Sequence, residues 1–268
     1  MSDRITIACE RLQRGDDVEA VLVWLRARCP TVAALSNTFT RLKKALRERG
    51  VAPPVQLKLS TDELLQHKRA QEARLLAKQS KLLHLHNAGA WLAYATELAR
   101  TAHGAMDVPR LVLPLLLLCG RRSSELLNGR STFTPTARAT ACFFDGALKK
   151  RGTGGAFEIP LLCDRAIFLH ALAALREAQK GEVLDEVACN NRYHRMLTLA
   201  LPTVFPWAPS PHALRAVYAQ FVYHLYQCDC TFNLAAMKCL GHAKLDVSLS
   251  YNAVQLHDAP AVSLGPLP

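Results

Sequence analysis

Strand-like alternation of apolar and polar side chains is concentrated in one pair of segments, residues 140–150 and 156–162. The sequence Arg151-Gly-Thr-Gly-Gly155 between them is rich in glycine, as is typical of the loop of a β-hairpin. Most of the remaining chain carries apolar residues at the spacing of helical turns, with glycine or proline near the ends of the runs. The sequence therefore predicts a mainly α fold with a small β-hairpin or sheet, an α+β class.

The best candidate for a joint between domains is the segment 103–109, in which glycine and proline separate two apolar helices. Residues 1–104 are expected to form a helical first domain, whose third helix opens with a capping box at Ser60-Thr-Asp-Glu63. Residues 105–256 are expected to hold the hairpin and further helices, starting with one buried helix from 108 to about 128. Residues 257–268 are expected to form a flexible tail.

The chain has a formal net charge of +11 at pH 7, and the basic excess is spread over both halves. Such an excess suits a protein that surrounds a polyanion, although a basic helix can also be no more than a solvated face. The basic side chains expected to contact DNA lie on the second and third helices and on the hairpin: Arg41, Lys43, Lys44, Lys68, Arg69, Lys150 and Arg151.

Cysteine usage and hydropathy indicate where such a chain would work. Nine cysteines are scattered along it, and no apolar segment of a signal peptide follows Met1, so we expect free thiols and a cytoplasmic location. Cys228-Asp-Cys230, with His224 one turn earlier, could bind zinc, but a packed helix face is the favoured interpretation because a second ligand pair is lacking. The longest apolar run, Leu111 to Cys119, is too short to span a bilayer, so no membrane segment is expected.

Two pairs of residues are suited to binding a phosphate. Arg122 stands near the end of an apolar helix with Glu125 one turn later, where the carboxylate can orient the guanidinium. His212 and Arg215 share one face at the start of a helix, where the helix dipole favours anions. The structural alternatives are an ordinary surface ion pair and a core histidine beside a surface arginine. Arg121 is a rival to Arg122, but the Arg-x-x-Glu spacing favours Arg122.

A lysine, a second histidine and a tyrosine complete the set. Lys149 and Lys150 end the first hairpin strand, where one of them could protonate a departing 5′ oxygen, unless both are merely exposed turn lysines. His242 follows a glycine, and Tyr251 could attack phosphorus if arginines and imidazoles around the phosphate lower the barrier, although a tyrosine is more often a core residue. The ordered set Arg, Lys, His-x-x-Arg, His and Tyr predicts DNA cleavage by a tyrosine, without a metal or other cofactor.

At these positions the chain resembles the tyrosine recombinase/integrase superfamily, and within it the protelomerases, or telomere resolvases. The resemblance covers about residues 108–256. It is carried by five segments: Cys119-Gly-Arg-Arg-Ser-Ser-Glu-Leu-Leu127, Phe144-Asp-Gly-Ala-Leu-Lys-Lys-Arg151, Phe157-Glu-Ile-Pro-Leu-Leu162, Pro211-His-Ala-Leu-Arg-Ala-Val-Tyr-Ala219, and Leu240-Gly-His242 through Ser250-Tyr-Asn252.

The resemblance implies a tyrosine-recombinase-type catalytic domain behind a helical domain that closes around the duplex. It implies that Tyr251 is the nucleophile of a 3′-phosphotyrosyl link and that Lys149, rather than Lys150, is the general acid. It implies that Arg122 and Arg215 bind the phosphate in the transition state, and that His212 and His242 are hydrogen-bonding or proton-transfer partners. Neither ATP nor a metal is implied.

The implied reaction converts a palindromic double-stranded DNA site into closed hairpin ends, with the protein acting as a homodimer. Two alternatives remain open at the level of the sequence. One is a compact site-specific recombinase that joins two duplexes through a tetramer, because only 17 residues follow Tyr251. The other is a DNA-binding relative that has lost catalysis.

Overall fold

The structure, a computed structural model, describes residues 3–146, 155–226, 228–242, 251–260 and 264–267. These residues form eleven helices and five short strands, in agreement with the predicted mainly α class. The chain folds into two compact units, residues 1–77 and 78–268. Each unit has its own buried apolar core.

Three helices pack together to form the core of the first unit: α1 (Asp3–Gln13), α2 (Val18–Arg28) and α3 (Val32–Glu48). Their apolar positions recur every three or four residues, so each helix places one stripe in the shared interior. The largest of these buried side chains are Ile5, Leu22, Leu25, Phe39, Leu42 and Leu46.

The fourth helix, α4 (Thr61–Gln79), begins at the predicted capping box, which is confirmed. The Ser60 amide donates to Glu63 Oε2 at 2.7 Å, and the Glu63 amide donates to the Ser60 hydroxyl at 3.2 Å. Glu63 also accepts from Arg26 Nε at 2.9 Å, which ties the start of α4 to α2. No described side chain of α4 is buried, so this contact at its first turn holds it to the unit.

The second unit is built around a central helix, α6 (Val108–Cys119), most of whose residues are buried. A helix that is apolar on all sides must be surrounded by other elements. The surrounding helices are α5 (Ala88–Arg100), α8 (Arg165–Ala178), α9 (Glu186–Val204) and α10 (Ala213–Leu225). A further helix, α11 (Phe232–Leu240), packs on α10.

The continuous helix predicted for residues 108–128 is wrong, because the chain breaks at Gly120. Gly120 adopts φ +63°, caps α6 and donates its amide to Leu116 O at 3.0 Å. A Cβ at this position would overlap the ring of Tyr218, so both the backbone angle and the space require glycine. The chain restarts as the short helix α7 (Ser123–Leu127).

Two small sheets complete the second unit. Strands β2 (Thr132–Pro135), β3 (Ala141–Asp145) and β4 (Phe157–Pro160) form an antiparallel sheet in that order. The β3–β4 pair lies within the predicted hairpin segments, whereas β2 was not predicted. Strand β1 (Leu83–Leu85) pairs in parallel with β5 (Val254–Leu256), which begins three residues after Tyr251.

The observed division of the chain differs from the predicted one in two places. Helix α5 packs on α6 and α8 and belongs to the second unit, so the division lies near residue 77 rather than at 104/105. The described part of the predicted flexible tail is docked on the second unit. The Leu264 amide donates to Leu225 O at 2.6 Å, Arg138 Nη1 donates to Pro266 O at 3.0 Å, and Leu264 and Leu267 pack on the core.

Candidate active site

The turn between α6 and α7 places Arg122 beside Glu125. The Arg122 amide donates to Glu125 Oε2 at 2.9 Å, and Arg122 Nη1 donates to Oε1 at 2.6 Å. Burial alone would raise the pKa of Glu125, but Arg121, Arg215 and Arg122 together lower it below its ordinary value. The carboxylate therefore stays ionised and orients Arg122, whose side chain remains about a quarter exposed.

Arg215 lies at the centre of the site with 1% of its surface exposed. Its Nη1 donates to Gly120 O and its Nη2 to Leu240 O at 2.9 Å. These carbonyls lie at the C-terminal ends of α6 and α11, where the helix dipole presents partial negative charge to a cation. The two helix ends thus hold a buried guanidinium.

Arg215 also contacts His242 and Tyr251. Its Nε donates to the Tyr251 hydroxyl at 3.3 Å, and its Nη2 lies 3.3 Å from His242 Nε2. A guanidinium only donates hydrogen bonds, so Nε2 of His242 is the acceptor and the ring proton lies on Nδ1. Donation to the phenol oxygen would stabilise phenoxide character at Tyr251.

The His242 ring is held in its neutral form. Burial, followed by the positive charges of Arg215, Arg122 and Arg121, lowers its pKa from 6.5 to about 3. His242 follows Gly241, which has φ +67° and caps α11, and a Cβ on this glycine would press on the ring of Phe157. The imidazole is therefore uncharged at neutral pH and serves as a hydrogen-bond acceptor for Arg215.

Tyr251 lies between the two imidazoles and is 5% exposed. The centroid of its ring is 5.4 Å from that of His242 and 6.2 Å from that of His212. His212 immediately precedes α10 and is exposed, so it can reach a bound ligand. The structure thus brings together four of the predicted site residues, His212, Arg215, His242 and Tyr251, whose catalytic roles stay predictions.

Two cavities meet at this site. One, of about 290 Å³, is polar and lined by Arg122, His212 and Arg215, and the other, of about 300 Å³, is more apolar and lined by Tyr251. Both are bounded by Ser210 and His212. A phosphate at this junction would have the guanidinium groups on one side and the phenol on the other.

The polar cavity also contains residues that the sequence analysis missed. Ser210, Asn190 and His194 line it, the last two from the exposed face of α9. No local motif distinguishes them, and only the packing of α9 against α6 and α7 brings them to the site. Arg121, the rival of Arg122 in the sequence, also lines this cavity.

The remaining predicted site residues lie elsewhere. Lys149, Lys150 and Arg151 fall outside the described residues. The basic residues of the first unit that were predicted to contact DNA lie on α3 and α4: Arg41, Lys43, Lys44, Lys68 and Arg69. Lys43 is half-buried and the other four are exposed. Their contact with DNA stays a prediction.

Two other tyrosines of the second unit donate hydrogen bonds to backbone carbonyls. The hydroxyls of Tyr218 and Tyr226 donate to Pro160 O at 2.7 Å and Leu161 O at 2.8 Å, and burial raises the pKa of Tyr226 to about 12.

Within the part of the chain that the structure describes, no three His, Cys, Asp or Glu side chains are arranged to hold a metal ion, the Cys228-Asp-Cys230 segment included. No described helix is both long and apolar enough to cross a bilayer.

Comparison with known proteins places this geometry in a family. Residues 83–253, more than half of the chain, match the telomere resolvase ResT/TelK catalytic domain. Among curated proteins no relative matches.

Solved structures of protelomerases share the fold. A variant of protelomerase TelA complexed with DNA hairpin product is 21% identical with a TM-score of 0.81, covering 94% of this chain and 87% of that one. Selenomethionine protelomerase TelA covalently complexed with substrate DNA is 18% identical with a TM-score of 0.78, covering 96% and 89%. Protelomerase TelK complexed with substrate DNA is 19% identical with a TM-score of 0.67, covering 79% and 45%. The matched domain contains the whole site described above, and the chain belongs to the telomere resolvase ResT/TelK catalytic domain family.

Proposed function

We propose that this protein is a DNA strand transferase that cleaves and rejoins a palindromic duplex into two covalently closed hairpin ends. The observation that carries the proposal is the position of Arg215, which contacts both the Tyr251 hydroxyl and His242 at the edge of a cationic cavity. The family match and the protelomerase TelA structures, one covalently complexed with substrate DNA and another with hairpin product, support the same outcome.

The first step is attack of the Tyr251 oxygen on the scissile phosphorus. The phenol proton passes to His212, whose exposed ring lies 6.2 Å from the ring of Tyr251. His242 is a weak base because its pKa is about 3, and it accepts a hydrogen bond from Arg215 instead. A bond forms between the phenol oxygen and phosphorus while the bond from phosphorus to the 5′ oxygen breaks. The products are a 3′-phosphotyrosyl link and a free 5′ hydroxyl.

Charge develops on the non-bridging oxygens during this step, and the guanidinium groups offset it. Arg122 and Arg215 both line the cavity, and they are fixed before DNA arrives, Arg122 by Glu125 and Arg215 by the helix carbonyls. Such preorganised donors cost no reorganisation during the reaction. We propose that Lys149 protonates the departing 5′ oxygen, which is the role that the family resemblance implies.

The second step reverses the first. The 5′ hydroxyl of the opposite strand attacks the phosphotyrosyl phosphorus, the phenol leaves and regains a proton, and a hairpin end is closed. Because one phosphodiester is exchanged for another, the energy of the first bond is kept in the covalent intermediate. A palindrome presents two equivalent scissile phosphates, so we propose that two copies of the chain act on one site.

The proposal also includes the place of action. All nine cysteines are free thiols, which favours a reducing cytoplasm where the replicon resides.

The test is to incubate the protein with a supercoiled plasmid that carries the inverted repeat of its own replicon. Linear DNA that renatures at once after denaturation is expected, because its ends are covalently closed. Recombined circles without hairpin ends would contradict the proposal in favour of a recombinase. Binding without any covalent adduct on a nicked suicide substrate would instead indicate a catalytically silent relative.

A further inference from the structure

Arg121, next to the predicted clamp residue, is one of the most deeply buried side chains of the protein, with 1% of its surface exposed. Its Nε donates to Cys119 O at 3.4 Å and its Nη2 donates to Cys239 O at 2.5 Å. Its guanidinium carbon lies 5.1 Å and 5.3 Å from the ring centroids of Phe144 and Phe157. Two of its three guanidinium nitrogens are thus engaged by backbone carbonyls, and the group lies against two aromatic rings.

Arg121 and Arg215 bridge the same two helix ends. Helix α6 provides Cys119 O to Arg121 and Gly120 O to Arg215. Helix α11 provides Cys239 O to Arg121 and Leu240 O to Arg215. The two guanidinium groups therefore form successive crosslinks between the C-terminal ends of α6 and α11.

The residues that follow these helix ends are the ones that act on the phosphate. Arg122 is the N-cap of α7, two residues after Gly120 caps α6, and His242 follows Gly241 at the end of α11. Any change in the separation of the two ends would move Arg122 and His242 relative to each other. Misplacement of a reacting group by about 1 Å can cost on the order of a hundredfold in rate.

The charge of Arg121 also acts on the site. Two neighbouring buried cations repel each other, and here the helix dipoles, the buried Glu125 carboxylate and the aromatic faces of β3 and β4 offset that cost. Arg121 is the foremost of the positive charges that keep Glu125 ionised, and it is one of three that lower the pKa of His242. An apolar side chain would fill the same space without either effect.

We propose that Arg121 is a positioning residue, which crosslinks the ends of α6 and α11 and thereby sets Arg122, Arg215 and His242 for the reaction; this inference rests on the proposed function. Arg121 makes no contact with DNA in this role. Its removal is expected to slow the chemical step while leaving DNA affinity nearly unchanged.

The test compares Arg121→Met with Arg121→Lys. Arg121→Met keeps much of the volume and loses charge and donors, whereas Arg121→Lys keeps the charge and a donor for Cys239 O. On a nicked suicide substrate, we expect Arg121→Met to form the covalent adduct on the order of a hundredfold more slowly than wild type, with the Kd for DNA changed by less than about threefold. Arg121→Lys is expected to recover at least tenfold of that loss.

Two further measurements separate positioning from a merely structural role. In Arg121→Met, loss of the nearby charge should raise the midpoint of the His242 titration, followed by NMR of the ring, and Arg121→Lys should leave it near the wild-type value. Arg165→Met is the matched control, because Arg165 donates to two loop carbonyls, Thr136 O and Arg138 O, away from the site. It should leave both the cleavage rate and the His242 titration unchanged.

The proposed function and the positioning role fail in different ways. If wild-type protein forms no adduct, the proposed function is contradicted, and the NMR titration, which needs no DNA, still tests the role of Arg121. If wild type cleaves and folded Arg121→Met cleaves at the same rate with an unchanged His242 titration, the positioning role is overturned. If Arg121→Met does not fold, the same comparison is made between Arg121→Lys, which keeps the charge, and Arg121→Gln, which is neutral but keeps an N–H donor.

Discussion

The neutral state of His242 predicts a specific pH dependence of folding stability. In the unfolded chain this histidine has its ordinary pKa of 6.5, whereas in the folded protein burial and the neighbouring arginines lower the pKa to about 3. As the pH falls below 6.5, the unfolded chain therefore binds a proton that the folded protein does not bind, and stability is lost until the pH approaches the folded value. The stabilising contribution of the neutral ring is complete above pH 6.5.

The size of this effect follows from the proton linkage. At pH 5, 1.5 units below the ordinary pKa of 6.5, a fully buried group would cost about 2 kcal/mol of stability. Because the His242 ring is only partly buried, solvent screening reduces the expected cost to about 1 kcal/mol. His242→Gln retains an oxygen acceptor for Arg215 and does not titrate, so it should lack this contribution.

The assay is chemical denaturation of wild type and His242→Gln at pH 7 and pH 5. The chain has three tryptophans, and Trp24 lies in the first unit while Trp91 and Trp207 lie in the second. A Trp24→Phe background therefore makes the fluorescence report on the unit that contains His242. Between pH 7 and pH 5, wild type should lose about 1 kcal/mol more than His242→Gln. Equal losses in the two proteins would refute the reasoning, because carboxylate titration is common to both and cancels.

Two further predictions concern Arg215 and the turn that supports it. Gly120→Ala should destabilise the second unit by at least about 2 kcal/mol, because it adds left-handed backbone strain and a clash with Tyr218. Chemical denaturation followed by Trp91 and Trp207 fluorescence checks this, and an unchanged midpoint would contradict the assigned turn. Arg215→Lys keeps the charge but cannot reach Gly120 O, Leu240 O and the phenol together. The cleavage rate on a suicide substrate should therefore fall about 10² to 10³-fold. A rate within threefold of wild type would contradict a role for Arg215 in stabilising the transition state.

The order of the site residues could be predicted from the sequence because each local motif has its own physical signal. His212 and Arg215 are one helical turn apart, and Arg122 and Glu125 have the spacing of an ion pair. These signals need no knowledge of the rest of the chain. The convergence of His242 and Tyr251 on Arg215 was expected only because the chemistry requires it, and the structure supplies the distances.

Features that depend on long-range contacts could not be predicted. The bridge from Arg121 to Cys239 O joins residues 118 positions apart, and nothing near Arg121 in the sequence indicates a helix end as its partner. Gly120 lies between the apolar run that ends at Cys119 and the apolar pair Leu126 and Leu127, so the prediction joined the two into one helix. Strand β2 is short and ends in Pro135, which weakens the local signal for a strand.

The predicted domain limits show how tertiary packing overrides local punctuation. Glycine and proline between α5 and α6 marked a joint, yet these helices pack against each other within one unit. The final residues have the composition of a tail, but Leu264 and Leu267 find apolar surface on the second unit. Local composition reports the freedom of the backbone and does not report which surface is available to bury a side chain.

The central claim is that Tyr251 forms the covalent link to DNA, and mapping the adduct tests it most directly. A nicked suicide substrate should trap the protein on DNA, and mass spectrometry of the digested adduct should locate a phosphodiester on the peptide that contains Tyr251. Tyr251→Phe should bind the same DNA with the wild-type salt dependence and yield no adduct. An adduct formed by Tyr251→Phe, or a link mapped to Tyr218, Tyr223 or Tyr226, would contradict the account.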